Sequence, residues 1–300
     1  MKALVTGATG FIGRALCAHL GGGHELVVVS RDIESAHRRL GAAAAVKAMP
    51  NSAAEWAALV DGCDAVVNLA GESIAAGRWT EERKRRIHDS RVNLTRDLVQ
   101  GIELATRKPS VLVSASAVGY YGPHGDEEVN EATPAGRDFL AQTCTAWEHE
   151  AEAAEASGVR TVRLRLGIVL GEGGGALASM VTPFKLFAGG PLGSGKQWMS
   201  WVHRDDVIGL IDFALTQTAA RGAINATAPT PQTMRAFCRT LGKVMRRPSW
   251  APVPAFVLRL ALGEMSDMLL NGQRVIPAAA LKLGYRFEYP DLEAALRSSL

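Results

Sequence analysis

The chain is poor in cysteine and in net charge, and each shortage removes a class of protein. Its four cysteines, Cys17, Cys63, Cys144 and Cys238, have neither metal-ligand spacing nor the framework of a disulfide-stapled domain. A reduced, cytoplasmic setting is the expectation. A formal charge of +3 is too small to imply a nucleic-acid or membrane partner. No apolar run approaches bilayer-spanning length, and an apolar run from Ala3 is expected to leave no room for a cleaved signal peptide. No long internal repeat and no low-complexity linker interrupts the sequence. What remains is a globular chain of 300 residues, long enough for one large domain with a smaller lobe.

What is present begins at residue 3. The run Ala3-Leu4-Val5 leads into Thr6-Gly7-Ala8-Thr9-Gly10-Phe11-Ile12-Gly13. This reads as a buried strand, a glycine turn and a helix whose free N–H groups and positive dipole end face a pyrophosphate. Gly7 suits the tight turn, Gly10 the approach of backbone to phosphate, and Gly13 the packing of helix on strand. Thr9, Phe11 and Ile12 belong to the same cradle. An amphipathic helix (Phe11, Ile12, Leu16, Leu20) and a second apolar strand at 26–29 supply the context the motif needs.

That second strand ends in Ser30-Arg31-Asp32. A carboxylate there suits the ribose hydroxyls of NAD, whereas a 2′-phosphate wants a cation and a small hydroxyl. Ser30 and Arg31 favour NADP, with the Arg31 guanidinium pairing with the phosphate and lying over the adenine. Asp32 is the competing signal, or else the cap of the next helix.

Strands are expected at 3–5, 26–29, 65–69, 110–114 and 161–166, with a late one at 223–226. Helices are expected at 11–21, 52–60, 80–105, 138–157 and 204–217. The alternation predicts an α/β fold: a doubly wound parallel sheet, or Rossmann fold, over residues 1–170, with a smaller C-terminal substrate lobe over 171–300. The alanine-rich stretch 41–46 reads as a helix-to-strand connection. The glycine-rich stretches 171–175 and 189–195 read as mobile loops beside a cleft. Phe256, Val257, Leu260 and Leu262, then Leu292, Leu296 and Leu300, form apolar helical patterns that place 248–300 in the folded lobe.

The Thr6 to Gly13 motif, Asn68-Leu69-Ala70-Gly71, the run from Ser114 through Gly122, and Trp201-Val202-His203-Arg204-Asp205-Asp206-Val207 follow one another in a telling order. In this the chain resembles the extended short-chain dehydrogenase/reductase and sugar epimerase superfamily. Ala70-Gly71-Glu72-Ser73-Ile74, Arg78-Trp79, Ser90-Arg91-Val92-Asn93 and Gly284-Tyr285-Arg286-Phe287-Glu288-Tyr289-Pro290-Asp291-Leu292 narrow the resemblance to its atypical subgroup, the epimerase family proteins. The resemblance covers nearly the whole chain. It implies an NADP-dependent oxidoreductase without a settled substrate. It also implies that Leu69, Ala70, Gly71, Glu72 and Arg78 contribute to the cofactor pocket, Glu72 beside the ribose or nicotinamide and Arg78 near phosphate. The competing reading of Glu72 and Arg78 is a surface ion pair.

The superfamily's Tyr and Lys, four residues apart, transfer a proton as hydride moves. Here the corresponding segment is Asp138-Phe139-Leu140-Ala141-Gln142-Thr143-Cys144-Thr145-Ala146-Trp147-Glu148, which contains neither. The register that preserves the spacing of Glu148 puts Leu140 and Cys144 in their places, and Arg91 replaces the helix Asn. The remaining catalytic candidates are Ser116 (or Ser114) as hydrogen-bond donor to substrate, Tyr120 or Tyr121 as acid, Arg91, and Cys144 as a thiolate beside that cation. Each has a plain alternative in backbone bonding or packing.

Two other motifs carry less. Gly190-Pro191-Leu192-Gly193-Ser194-Gly195-Lys196-Gln197 has phosphate-loop spacing, but Gln197 replaces the magnesium-holding hydroxyl and no clear strand precedes it. His203-Arg204-Asp205-Asp206 lacks further ligands for a metal, and either Asp is expected to cap a helix. Trp198, Met199 and Trp201 are candidates for an apolar substrate wall or for core. Two functions fit: an NADP-dependent oxidoreductase or epimerase-like enzyme acting on a small molecule, or a non-catalytic NADP-binding sensor or scaffold.

Overall fold

The computed structural model describes residues 1–41 and 44–300. Seven parallel strands form the central sheet in the order β3-β2-β1-β4-β5-β7-β11. They are β1 (Lys2–Thr6), β2 (Glu25–Ser30), β3 (Ala45–Ala48), β4 (Ala65–Asn68), β5 (Val111–Ala117), β7 (Arg160–Leu166) and β11 (Gly222–Ala226). The inner strands are buried on both faces, so Ala3, Leu4 and Val5, or Ala65, Val66 and Val67, read as unbroken apolar runs. The helices between them are α1 (Phe11–Leu20), α2 (Ile33–Leu40), α3 (Ala53–Val60), α4 (Glu81–Leu104) and α5 (Phe139–Glu152). The described part of 41–46 leads from α2 into a strand, as expected, but the strand already begins at Ala45: β3 is an edge strand paired with β2. Its residues are mostly exposed and alanine-rich, so no apolar period marks it. Residues 42 and 43 lie outside the described residues.

The second lobe interleaves with the first. A short strand, β6 (Glu128–Val129), follows the turn after β5, and β8 (Ile168–Leu170) follows β7. Next come α6 (Gly175–Lys185), β9 (Trp198–Met199), β10 (Trp201–His203) and α7 (Arg204–Thr216). β11 then returns to the main sheet, as expected for 223–226. The chain continues through β12 (Gln232–Thr233), α8 (Met234–Met245), α9 (Ala255–Leu262), α10 (Ser266–Leu270), β13 (Arg274–Val275), α11 (Ala278–Lys282) and α12 (Leu292–Ser298). Leu177, Phe184, Trp201, Phe237, Leu292 and Leu296 share a second apolar core. Trp201 and Met199 are therefore core, and Trp198 donates its indole N–H to Asp126 at 2.8 Å.

The glycine-rich stretches are loops that border cavities, through Glu172 and Gly173 in one and Ser194 in the other, and both are packed against other segments. The Phe11 ring sits against the 171–175 stretch: a Cβ on Gly171, Gly174 or Gly175 would meet that ring at 2.8–3.1 Å. The 189–195 stretch is stitched to 250–253, with Trp250 and Ala251 N–H donating to Gly189 O and Gly193 N–H to Val253 O. Gly195 and Lys196 N–H groups are also occupied locally, so no phosphate nest remains there. Finally, α9 forms, but Phe256, Val257 and Leu260 point outward and Leu258 is its buried residue. No helix among the described residues is long and apolar enough to cross a membrane.

Candidate functional site

The turn after β1 is built by exclusion. Gly7 has φ +68°, and a Cβ there would lie 2.5 Å from Leu69 O. A Cβ on Gly13 would collide with Gly7 O and Ala8, so α1 can approach the strand only because residue 13 has no side chain. The start of α1 carries no side-chain cap, with Gly10 at the N-cap. Its neighbours α2, α3, α4 and α5 are capped by Asp32, Ser52, Thr80 and Asp138. The Phe11, Ile12 and Gly13 N–H groups are thus left for an anion, and the helix dipole favours one. This geometry fits a dinucleotide's pyrophosphate. Thr9 closes the turn's outer side, where its carbonyl accepts a bond from Arg39 at 3.3 Å.

At the end of β2, Ser30 Oγ is held in a tight turn with Asp32, and Asp32 caps α2 through Ser35 N–H at 2.9 Å. That resolves the competing signal in favour of the cap. Arg31 is exposed and makes no hydrogen bond or ion pair among the described residues, which leaves its guanidinium available.

After β4, Asn68 is not a surface group. It accepts from Thr6 Oγ1 at 2.7 Å and donates to Thr95 Oγ1 at 2.8 Å and to Ser114 Oγ at 3.3 Å. Trp147 Nε1 completes the buried cluster on Thr95 at 3.0 Å. Leu69 and Ala70 back onto Gly7, and Gly71 gives passage to Arg91. Arg91 donates to Ile87 O and Glu72 O, both at 2.9 Å, and lies 5.4 Å from the Trp147 ring. Burial lowers its pKa from the usual guanidinium value. Its donors are fastened to backbone, so Arg91 shapes the Gly71-Glu72 loop. Glu72 pairs with Arg83 at 3.1 Å and Arg86 at 3.7 Å, not with Arg78. Arg78 is exposed and lies against Gly263 of the second lobe.

The turn after β5 holds the catalytic candidates, and most are committed to one another. Ser116 Oγ donates to Glu148 Oε1 at 2.6 Å. Glu148 also receives both arms of Arg165, Nε at 2.8 Å and an Nη at 2.9 Å. Arg165 donates further to Tyr121 OH at 2.9 Å, and Tyr121 donates to Asn225 Oδ1 at 2.7 Å. All five residues are buried. Burial works against the charge on Arg165, but Glu148 outweighs it and holds the guanidinium above its ordinary pKa. Burial pushes Tyr121 up to about 12, with Arg165 opposing, so Tyr121 stays a phenol. Ser114 is occupied as well, by Asn68.

The α5 face turned toward this site is made by Leu140, Cys144 and Glu148, with Leu140 and Cys144 both against Gly119. Cys144 is buried. That burial, reinforced by Glu148 and only partly offset by Arg91, pushes its thiol up to about 12. The thiolate expectation is therefore corrected: Cys144 is a packed thiol. Tyr120 differs from its neighbours. It is half-buried, its ring lies 3.4 Å from the Arg165 guanidinium carbon, and its hydroxyl has no partner among the described residues. Arg165 was missed in the sequence, yet its signal was there: Arg163 and Arg165 interrupt an inner strand, where an arginine needs a buried partner.

The His203 segment holds the lobes together, with a different division of labour than expected. His203 Nδ1, not an Asp, caps α7 by accepting from Asp205 N–H at 3.2 Å. Asp206 is buried and accepts from the Glu288 and Tyr289 N–H groups at 2.7 and 3.0 Å. Among the described residues no three His, Cys, Asp or Glu side chains are grouped to hold a metal ion. A cavity of about 880 Å³ lies outside α1, between Arg14, Arg204 and Arg286, and shares only Phe11 with the expected cofactor set. A smaller one, about 270 Å³, opens beside the loop after Tyr121 and is lined by His124, Asp126, Lys196, Trp198 and Asn271.

The sequence pattern of the NAD dependent epimerase/dehydratase family matches residues 3–226. The chain belongs to that family. A domain of unknown function, DUF1731, matches residues 253–299, so this family member carries a recognised C-terminal unit as well. It is 45% identical over 301 residues to the chloroplastic SDR39U1 homolog of Arabidopsis thaliana, an epimerase family protein, covering 99% of this chain and 86% of that one. Epimerase family protein YfhF of Bacillus subtilis is 41% identical, with 99% and 97% covered. The crystal structure of human SDR39U1 (isoform 2) with NADPH superposes with a TM-score of 0.88 at 37% identity, covering 99% and 98% of the two chains.

Proposed function

We propose that this epimerase-family chain binds NADP(H) and acts as an oxidoreductase or epimerase-like enzyme on a small molecule, with Tyr120 as its proton-carrying group. The observation that carries the reading is a contrast in hydrogen bonding. Among the described residues, the donors at the start of α1 are unclaimed, and in the turn after β5 the Tyr120 hydroxyl alone has no partner. The relative crystallised with NADPH supports the cofactor, and Arg31 supplies the charge that a 2′-phosphate seeks. When bound, the nicotinamide supplies or accepts the hydride.

In the direction of reduction, Tyr120 donates its proton to the carbonyl oxygen as that oxygen gains charge. The Arg165 cation beneath the ring stabilises the phenolate left behind, and solvent returns the proton. Ser116 and Tyr121 hold Glu148 and Arg165 in position.

A second reading is favoured by the same network, because a fully satisfied buried cluster is also what a cofactor-binding sensor would keep. Screening carbonyl and hydroxyl compounds for change in NADPH absorbance separates them. Turnover that is lost in Tyr120→Phe, with NADPH affinity retained, supports the enzyme. Unchanged turnover in that variant removes Tyr120 from its role. Absence of turnover, together with partner binding that follows the redox state of the cofactor, supports the sensor.

A further inference from the structure

The small net charge hides an uneven distribution. Between Phe213 and Gly263 there is no Asp or Glu, while Arg235, Arg239, Lys243, Arg246, Arg247 and Arg259 fall in that stretch. Lys243 is paired with Glu293 at 2.6 Å. Lys185, Arg246, Arg247 and Arg259 have no carboxylate partner among the described residues.

Beside Arg246 and Arg247, large apolar side chains are held outward: Leu186 is 72% exposed, Phe187 56% and Trp250 70%. These are not frayed ends. Trp250 Nε1 donates to Phe187 O at 3.0 Å, and the Arg247 guanidinium lies 4.5 Å from the Phe187 ring. The backbone singles out the same place. Among the described residues, the non-glycine residues with positive φ are Phe187 (60°) and Arg246 (53°), at the ends of α6 and α8. Glycine takes that helix-terminating conformation without strain. Here one position keeps an exposed aromatic ring and the other an exposed cation.

We infer that this face, from Leu186 and Phe187 to Trp250, docks on an anionic lipid membrane surface. Trp, Phe and Leu tips enter the headgroup boundary while Lys185, Arg246 and Arg247 meet lipid phosphates and carboxylates. A second copy of the chain fits poorly, because a two-fold contact would set these cations against themselves with no carboxylate between them. The two cavities described above are lined by other residues and do not include the patch.

The test uses the full chain and sedimentation with extruded vesicles, either pure phosphatidylcholine or phosphatidylcholine enriched in phosphatidylserine. The protein is expected to partition at least about tenfold more strongly onto the anionic vesicles and to be released by salt. Phe187→Gly with Arg246→Gly is expected to weaken that partition by about fivefold for the lost cation and by more for the lost ring. Because glycine relieves both left-handed positions, the thermal midpoint of the variant should hold or rise, which separates lost docking from lost fold. NADPH affinity should not change. Equal partition on both vesicles, or none, overturns the inference. So does a double-glycine variant that binds as the parent does. A parent that ignores vesicles but forms a dimer broken by the variant, or that binds immobilised polyglutamate instead, would hand the patch to a protein partner.

Discussion

Two turns at the carboxyl edge of one sheet handle their polar groups in opposite ways. After β1, glycines at 7, 10 and 13 strip away side chains, and the first N–H groups of α1 are left without acceptors. After β5, Ser116 and Tyr121 are matched inside the protein by Glu148, Arg165 and Asn225, and the Tyr120 hydroxyl alone in that turn has no partner among the described residues. The first turn is completed by what it binds; the second is complete already. Unmatched donors therefore point to a ligand more reliably than a concentration of reactive residue types does.

The sharpest way to break this comparison is to unmatch the second turn. Glu148→Ala leaves Arg165 buried without its counter-charge and should cost about 3–5 kcal/mol in urea unfolding. A loss under about 1 kcal/mol would mean that the network is solvated and not structural. Arg31→Ala tests the first turn, where loss of a charge-assisted phosphate contact is expected to cost about 1.5–3 kcal/mol, or roughly ten- to a hundredfold in NADP affinity by calorimetry. NAD affinity and the unfolding midpoint should stay put. Equal loss for both cofactors would reassign Arg31 to adenine stacking.

A smaller effect is expected where the lobes meet. Burial, with Asp205 opposing and Arg204 assisting, holds His203 below the ordinary value of 6.5, so the folded protein prefers the neutral ring. The stability this contributes is complete above 6.5 and is lost as pH falls through that value toward the depressed one. Thermal midpoints followed from neutral to mildly acidic buffer should fall in the parent and fall less in His203→Gln. Identical slopes would show that His203 does not titrate with unfolding. The smallest expected change is none: native Cys144 should resist iodoacetamide equally with and without NADP, by mass-spectrometric mapping, because it is buried and protonated. Rapid labelling that NADP blocks would restore the thiol to the cofactor site.

Much of the fold was legible because periodicity and glycine spacing are local signals. The strands at 3–5, 26–29 and 161–166 each lie inside an observed strand, and the late strand at 223–226 joins the sheet through β7. β3 escaped because an exposed alanine strand has no apolar rhythm, and α9 misled because its rhythm faces outward. The site was read unevenly for a similar reason. A phosphate cradle is written in consecutive residues, whereas the Ser116, Glu148 and Arg165 cluster joins residues from three elements, and sequence spacing placed Glu148 without revealing what it held. The ion pair weighed between Glu72 and Arg78 fails because Arg83 and Arg86, further along α4, reach Glu72 instead.

Phe11 has a second allegiance. It opens α1, and its ring is also the guest in a cage made by Gly171, Gly174 and Gly175 of the other lobe, with the Arg204 guanidinium 5.5 Å away. The donors at the head of α1 are thus aimed in part by a segment more than 150 residues downstream. Linkage runs both ways: whatever steadies those donors also steadies the cage, and a methyl group added at Gly174 would be felt as altered cofactor affinity. The two lobes hold one variable in common, and neither can drift in sequence at that contact without the consent of the other.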